Sequence, residues 1–408
     1  MTVSADLPLP ARRADDVRLV GGVSAAHFIS HYYILVLPPL FGFVRAEYDV
    51  SYTEIGLALT AFNVVSAILQ TPAGFLIDRI NARLCLVAAL LLGAVGLAGA
   101  ALVHSYWFLV AMFGLMGVGN TVYHPADYTL LSRHVAPERM SHAFSVHTFS
   151  GLVGTALAPA TMLLMHSLWG WRGAFLGAAA LGTAVAAVLF VIREPAIEHA
   201  AKPRGTAKTG DGSDDNSWRL LLSPPILMSL LFFFMLATAS FGLQNFIVVA
   251  LGALHQTPAV TANAALTGYL FLSAAGVLLG GWIATRTNRH RLVAMTGLGI
   301  AALTVLLIGA TDLQATILIV VLSLSGLATG MIMPSRDMIV REATPAGSFG
   351  KVFGFVTNGF NVGGALSPLI FGALMDHGEP RLVFIVMAVF LGLAILTVAS
   401  RPRRPAAA

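Results

Sequence analysis

His27 and His31 stand one helical turn apart in HFISHYY, and His124 and Asp127 stand three apart in TVYHPADY. Each pair would share one face of a helix. His147 in SVHTF and the couple Arg336-Asp337 in PSRD are further ionisable residues inside apolar runs. Imidazoles and a carboxylate so placed can carry protons near neutral pH, hold a metal ion or bind a charged solute. A helical zinc hydrolase would need a glutamate beside the first histidine of the HxxxH pair, and Phe28 follows His27 instead. The enzymic reading is therefore the weaker one. With Cys85 as the only cysteine, neither a disulfide nor a cysteine metal cluster is expected, and no cofactor is implied.

What must position these residues is a set of long apolar segments. The chain has 408 residues, 57% hydrophobic and 11% charged, with a mean hydropathy of +0.81. Soluble domains carry roughly 25% charged residues. Apolar runs of about 20 residues, each long enough to cross a bilayer as a helix, predict twelve spans at 20–43, 53–77, 84–104, 107–132, 141–167, 171–193, 224–252, 260–285, 291–311, 313–341, 349–375 and 381–400. The expected fold is an all-α membrane protein. Its predicted parts are residues 1–193, a polar linker at 194–223 and residues 224–408. The start, MTVSADLPLPARRADD, is polar and acidic and does not read as a cleavable signal.

Charge sets the expected orientation. With the N-terminus inside, 20 of the 24 basic residues fall in inner segments, three in outer loops (Arg45, Arg172 and Arg381), and Arg336 within a span. The positive-inside rule then puts both termini and the linker in the cytoplasm of a cell bounded by this membrane. The net charge of +5 is accounted for by loop anchors beside anionic lipid. A nucleic-acid partner is not expected.

The two halves repeat. A shift of 209 residues puts Leu115 on Leu324, Gly117 on Gly326, Pro125 on Pro334, Gly154 on Gly363, Pro159 on Pro368 and Arg172 on Arg381, without a gap. A shift of 207 aligns Leu59-Thr60 with Leu266-Thr267, and Gly74 with Gly281. Two pseudo-symmetric bundles of six helices follow. A site between repeats, lined by interrupted helices, is the arrangement of secondary transport. Pro125 and Pro334 each remove a helix hydrogen bond, which is tolerable where protein or water satisfies the freed carbonyl. Packing kinks are the alternative reading of both prolines.

The loop after span 2 carries Gly74, Asp78, Arg79 and Arg83 in GFLIDRINAR. These resemble the Gly-x-x-x-Asp-Arg-x-Gly-Arg-Arg signature of the major facilitator superfamily, with Asn81 and Ala82 at two signature positions. The resemblance covers all twelve spans. It implies that spans 1, 4, 7 and 10 line a central cavity, that Gly74 packs closely, and that Asp78 and its arginines act in gating. GLMGVGNTVYHPAD is similar to the fosmidomycin-resistance branch, with Tyr123, His124 and Pro125 in its aromatic-His-Pro cluster and Asp127 one residue past the usual acid. That branch is associated with drug efflux. Two departures bear on coupling: Phe113 stands where many proton-coupled members have arginine, and GTALAPATML in span 5 keeps only part of the antiporter motif.

Substrate contacts are expected at His27, His31, Tyr32, Tyr123, His124, Gln244, Asn245, Arg336 and Asn358, and gating at Gly74, Asp78, Arg79, Arg83, Pro125, Asp127, Pro334 and Arg336. Asp127 meets Arg336 under the repeat, so the two are expected to close an inner gate. The histidines are expected to carry the coupled proton. The expected partners are a small organic solute, anionic by the charge of Arg336, together with protons and lipid, and the chain is expected to act as a monomer. The expected function is secondary efflux of a drug or metabolite, with uptake of an organic anion or a sensor without transport as alternatives. Orientation has a direct test. A cysteine placed at Ser213 in a Cys85→Ser background should resist impermeant thiol reagents in intact cells and react after permeabilisation; labelling without permeabilisation reverses the topology.

Overall fold

The computed structural model describes residues 9–77, 79–135, 137–192, 219–345 and 349–399. Every regular element among them is helical. Ten helices are long and apolar enough to cross a membrane. One of these, His142–Val191, is broken at Gly170 and crosses twice; Phe349–Asp376 is one more crossing. The total is twelve.

Span 1 is Leu9–Ile34. The predicted limit of residue 43 is wrong: hydropathy runs on through LVLPPLFGF, but Pro38 and Pro39 cannot continue the helix. A short 3-10 turn, Pro38–Leu40, leads into a separate helix, Phe41–Tyr48, which ends on left-handed Asp49. Spans 2, 3 and 4 are Tyr52–Ile77, Ala82–Leu102 and Tyr106–His134. Asn81 and Ser105 cap spans 3 and 4 by accepting from Leu84 and Phe108 amides. Spans 5 and 6 are the two arms of Pro137–Val191; Gly170, at φ 69°, makes the turn between them that a side chain would resist. Spans 7 to 12 are Pro224–His255, Ala259–Ala284, His290–Ala310, Ala315–Ala343, Phe349–Asp376 and Pro380–Ala399. Most of the predicted linker, and Asp78, lie outside the described residues.

The repeat is visible in helix lengths. Spans 4 and 10 have 29 residues each and start 209 apart (315 − 106). Spans 2 and 8 have 26 each and start 207 apart (259 − 52). Contacts repeat too. A Cβ at Gly117 would fall on the carbonyl of Phe62, and one at Gly326 on that of Tyr269, which is Phe62 plus 207. Gly154 lies against the Phe28 carbonyl as Gly363 lies against that of Phe234. In lipid, such close backbone approach supplies the dispersion that holds helices together. Gly74 does not do this: a Cβ there would meet nothing within 4 Å.

The apolar core is divided in two. One apolar cluster runs from the first half into the Asp376 end of the second, through Leu243, Phe246, Leu266, Phe371 and Phe384. The opposite end of the second half, with Ile226, Phe232, Ile332, Ile339 and Val398, has a cluster of its own. The halves meet between span 2 and span 11 and between Pro137–Val191 and span 8. Gly154→Leu must displace the backbone of span 1, and should cost about 1–3 kcal/mol or more. Gly74→Ala should stay within about 0.5 kcal/mol. Thermal unfolding of the detergent-solubilised variants checks both.

Candidate functional site

Spans 1, 4 and 5 converge on one carboxylate. Asp127 is fully buried. Its Oδ2 lies 3.3 Å from His27 Nδ1 and 3.7 Å from His147 Nε2. Neither oxygen of Asp127 accepts a hydrogen bond, and His27 Nδ1 and both ring nitrogens of His147 are likewise buried without one. The imidazoles crowd together: His27 stacks on His147 at 3.8 Å between centroids, with His31 at 4.5 Å and His124 at 5.2 Å from His27. His124 is exposed where its neighbours are buried. Span 5 can approach because a Cβ at Gly151 would collide with the His27 ring. Ser150 donates to the Ser24 carbonyl at 2.6 Å, and His31 Nδ1 pairs with Thr155 Oγ1 at 3.1 Å. His147 was visible in the sequence as an ionisable residue in a span. What the sequence could not give is the face on which span 5 meets span 1.

The second half answers with opposite chemistry at the matching place. Arg336, the repeat partner of Asp127, bonds Asp337 Oδ1 at 2.9 Å, and its guanidinium lies 4.6 Å from the Phe233 ring and 5.4 Å from that of Phe360. Its side chain is 12% exposed, so it stays reachable while its stem is packed. In this conformation Asp127 lies against histidines of its own half, and Arg336 is bonded to Asp337 within its own.

The remaining expected contacts divide. Asn358 is exposed, and Gln244 is half-buried. Tyr32, Tyr123 and Asn245 are buried, and the Tyr32 hydroxyl pairs with Thr161 Oγ1 at 2.8 Å. Pro125 and Pro334 both lie inside their helices, partly covered. Arg79 is exposed. Arg83 donates to the Phe190 carbonyl at 3.0 Å and to that of Ile192, so it caps the end of span 6.

A closing contact that the sequence does not signal lies at the other end. Ser51 and Glu54 form a capping box at the start of span 2: the Ser51 amide donates to Glu54 Oε2 at 2.7 Å, and the Glu54 amide to Ser51 Oγ at 3.1 Å. The next two amides, of Tyr52 and Thr53, donate to Asp376 of span 11 at 2.6 and 2.8 Å. One half thus caps a helix of the other. The contact line continues through Gly56 against Pro368 and Thr60 donating to the Ala365 carbonyl, and ends at Asn63 donating to that of Gly364.

The profile of the Major Facilitator Superfamily matches residues 23–253 and 230–408. The chain belongs to the Major Facilitator Superfamily. It is a multi-pass membrane transporter of small solutes and not an enzyme. Among similar proteins, the fosmidomycin resistance protein of Escherichia coli is 23% identical over 386 residues, covering 93% of this chain and 92% of that one. The probable sulfoacetate transporter SauU of Cupriavidus necator is 25% identical over 392 residues, 90% of this chain and 89% of that one. Among solved structures, an inward-facing bacterial homologue of the human lysosomal transporter Spinster superposes with a TM-score of 0.78 at 16% identity, covering 96% of this chain and 97% of that one. The Asp376 cap is a contact supplied across the interface between the two halves. Losing a helix cap costs about 1 kcal/mol. Asp376→Ala should therefore raise the population open at this end about fivefold, read as a longer distance between spin labels at Asp49→Cys and Glu379→Cys.

Proposed function

We propose that this transporter exports a small anionic organic solute across the plasma membrane, acting as a monomer with both termini in the cytoplasm. The observation that carries the reading is Arg336. It is a permanent cation inside a span, held by two aromatic rings and left partly accessible. Intramembrane charges of this kind mark solute pathways. Asp337, 46% exposed at its side chain, neutralises it until a stronger anionic ligand competes. The efflux direction is supported by the full-length similarity to the fosmidomycin resistance protein. The chain has no Gly-x-x-x-x-Gly-Lys phosphate loop, so an ion gradient supplies the energy, and the proton gradient is the proposed one.

Given the charge-derived orientation, the end closed by Asp376 faces outward. Transport proceeds when solute draws the opposite ends together and the Asp376 end parts. Residues 1–193 and 224–408 would then move as two bodies joined by the linker at 194–223. A second reading, uptake of an organic anion, is favoured by the similarity to the probable sulfoacetate transporter.

Cells that overproduce the chain, challenged with fosmidomycin and with radiolabelled sulfoacetate, separate the two. Export predicts lowered accumulation that a protonophore restores; uptake predicts raised accumulation. Arg336→Gln should cut transport of anions at least tenfold while the protein still reaches the membrane. Undiminished transport by Arg336→Gln, or a strict preference for cations, overturns the anionic assignment.

A further inference from the structure

The cluster in the first half has the composition and spacing of a metal site. Three imidazoles, His27, His124 and His147, bring ligand atoms within 4.8 Å of one another. The Asp127 carboxylate lies beside two of them, 3.3 Å from His27 Nδ1 and 3.7 Å from His147 Nε2. These two separations are long for a hydrogen bond to a carboxylate, where 2.7–2.9 Å is typical. They suit a different geometry. Ligand bonds of about 2.0–2.1 Å in a tetrahedron put neighbouring donor atoms roughly 3.3 Å apart. The donors are also unclaimed. Both Asp127 oxygens, His27 Nδ1 and His147 Nε2 are buried without a hydrogen bond. An uncompensated carboxylate at that depth would be strongly destabilising, and a divalent cation compensates it completely.

We propose that His27, His124, His147 and Asp127 bind one divalent transition ion, with Zn²⁺, Co²⁺ and Ni²⁺ as the class that a set of imidazoles and one carboxylate selects. His31, beside His27 and fixed through Thr155, is a supporting residue outside the ligand set. Gly151 leaves the room that the His27 ring occupies. His124 is exposed, and gives the ion its way in. The ligands come from spans 1, 4 and 5, so the ion ties three helices of one half together. With one carboxylate bound, it leaves a net charge of about +1 there. This geometry is independent of the solute and of the direction of transport.

The test is a calorimetric titration of chelator-stripped, tag-free full-length protein in detergent with ZnCl₂, followed by Co²⁺ loading with visible spectroscopy. The expected result is one Zn²⁺ per chain and, with Co²⁺, the intense visible d–d bands of a four-coordinate site. Loss of even a supporting partner typically weakens a metal site 10–100-fold. His147→Gln and Asp127→Asn should therefore each weaken Zn²⁺ binding by about 100-fold or more and remove the Co²⁺ bands. His124→Gln, altering an exposed side chain, serves the same purpose should the buried variants not fold. His255→Gln removes a histidine that bonds the Ile308 carbonyl far along the chain and should leave binding unchanged. Absence of stoichiometric binding overturns the proposal and leaves the cluster a proton-carrying one. Binding that survives His124→Gln overturns it too, because the ion then sits on other histidines. Neither outcome depends on a transport assay, so the metal site and the solute assignment can fail separately.

Discussion

The first half is organised around a carboxylate that has lost its water. Asp127 is fully buried, and a bare charge at that depth is among the most costly groups a membrane protein can hold. Its surroundings answer that cost: histidines from spans 1 and 5, a glycine that lets them close in, and a proline two residues earlier in the same helix. Apolar substitution at any one of these would be tolerated by hydropathy alone. Three helices meet at this one group.

The duplication kept this place and changed its contents. Span 4 and span 10 have the same length, and their prolines sit at the same register. Where the first half has Asp127 with His27, the second has Arg336 with Phe233. A guanidinium needs no ion to balance it when aromatic faces and an adjacent carboxylate are at hand. The two halves thus solve the same burial problem with opposite charge.

Much of this was legible in the sequence. The offsets of 209 and 207 residues, read from prolines and glycines, reappear as equal helix lengths and matching close contacts. Spans 3 to 12 needed only shifts of a few residues. The first span failed because hydropathy does not register that Pro38 and Pro39 stop a helix. His27, His31, His124 and Asp127 were singled out by spacing within single helices. Periodicity stops at the edge of a helix, so their meeting with His147 could not be read. Asp376 escaped for a related reason: a carboxylate at a helix end reads as an anchor, and its true partners are backbone amides, which carry no signature in a sequence.

That last contact has a geometric consequence. One planar carboxylate engages two successive amides at the start of span 2. A single-point contact would let span 11 pivot around it, and a contact between long side chains would let the halves slide along each other. Two bonds from one rigid group fix both distance and azimuth. Translation along the helix axis breaks both at once, whereas a tilt about the contact strains them gradually. While this contact holds, the degree of freedom left to the two halves is rocking about the start of span 2.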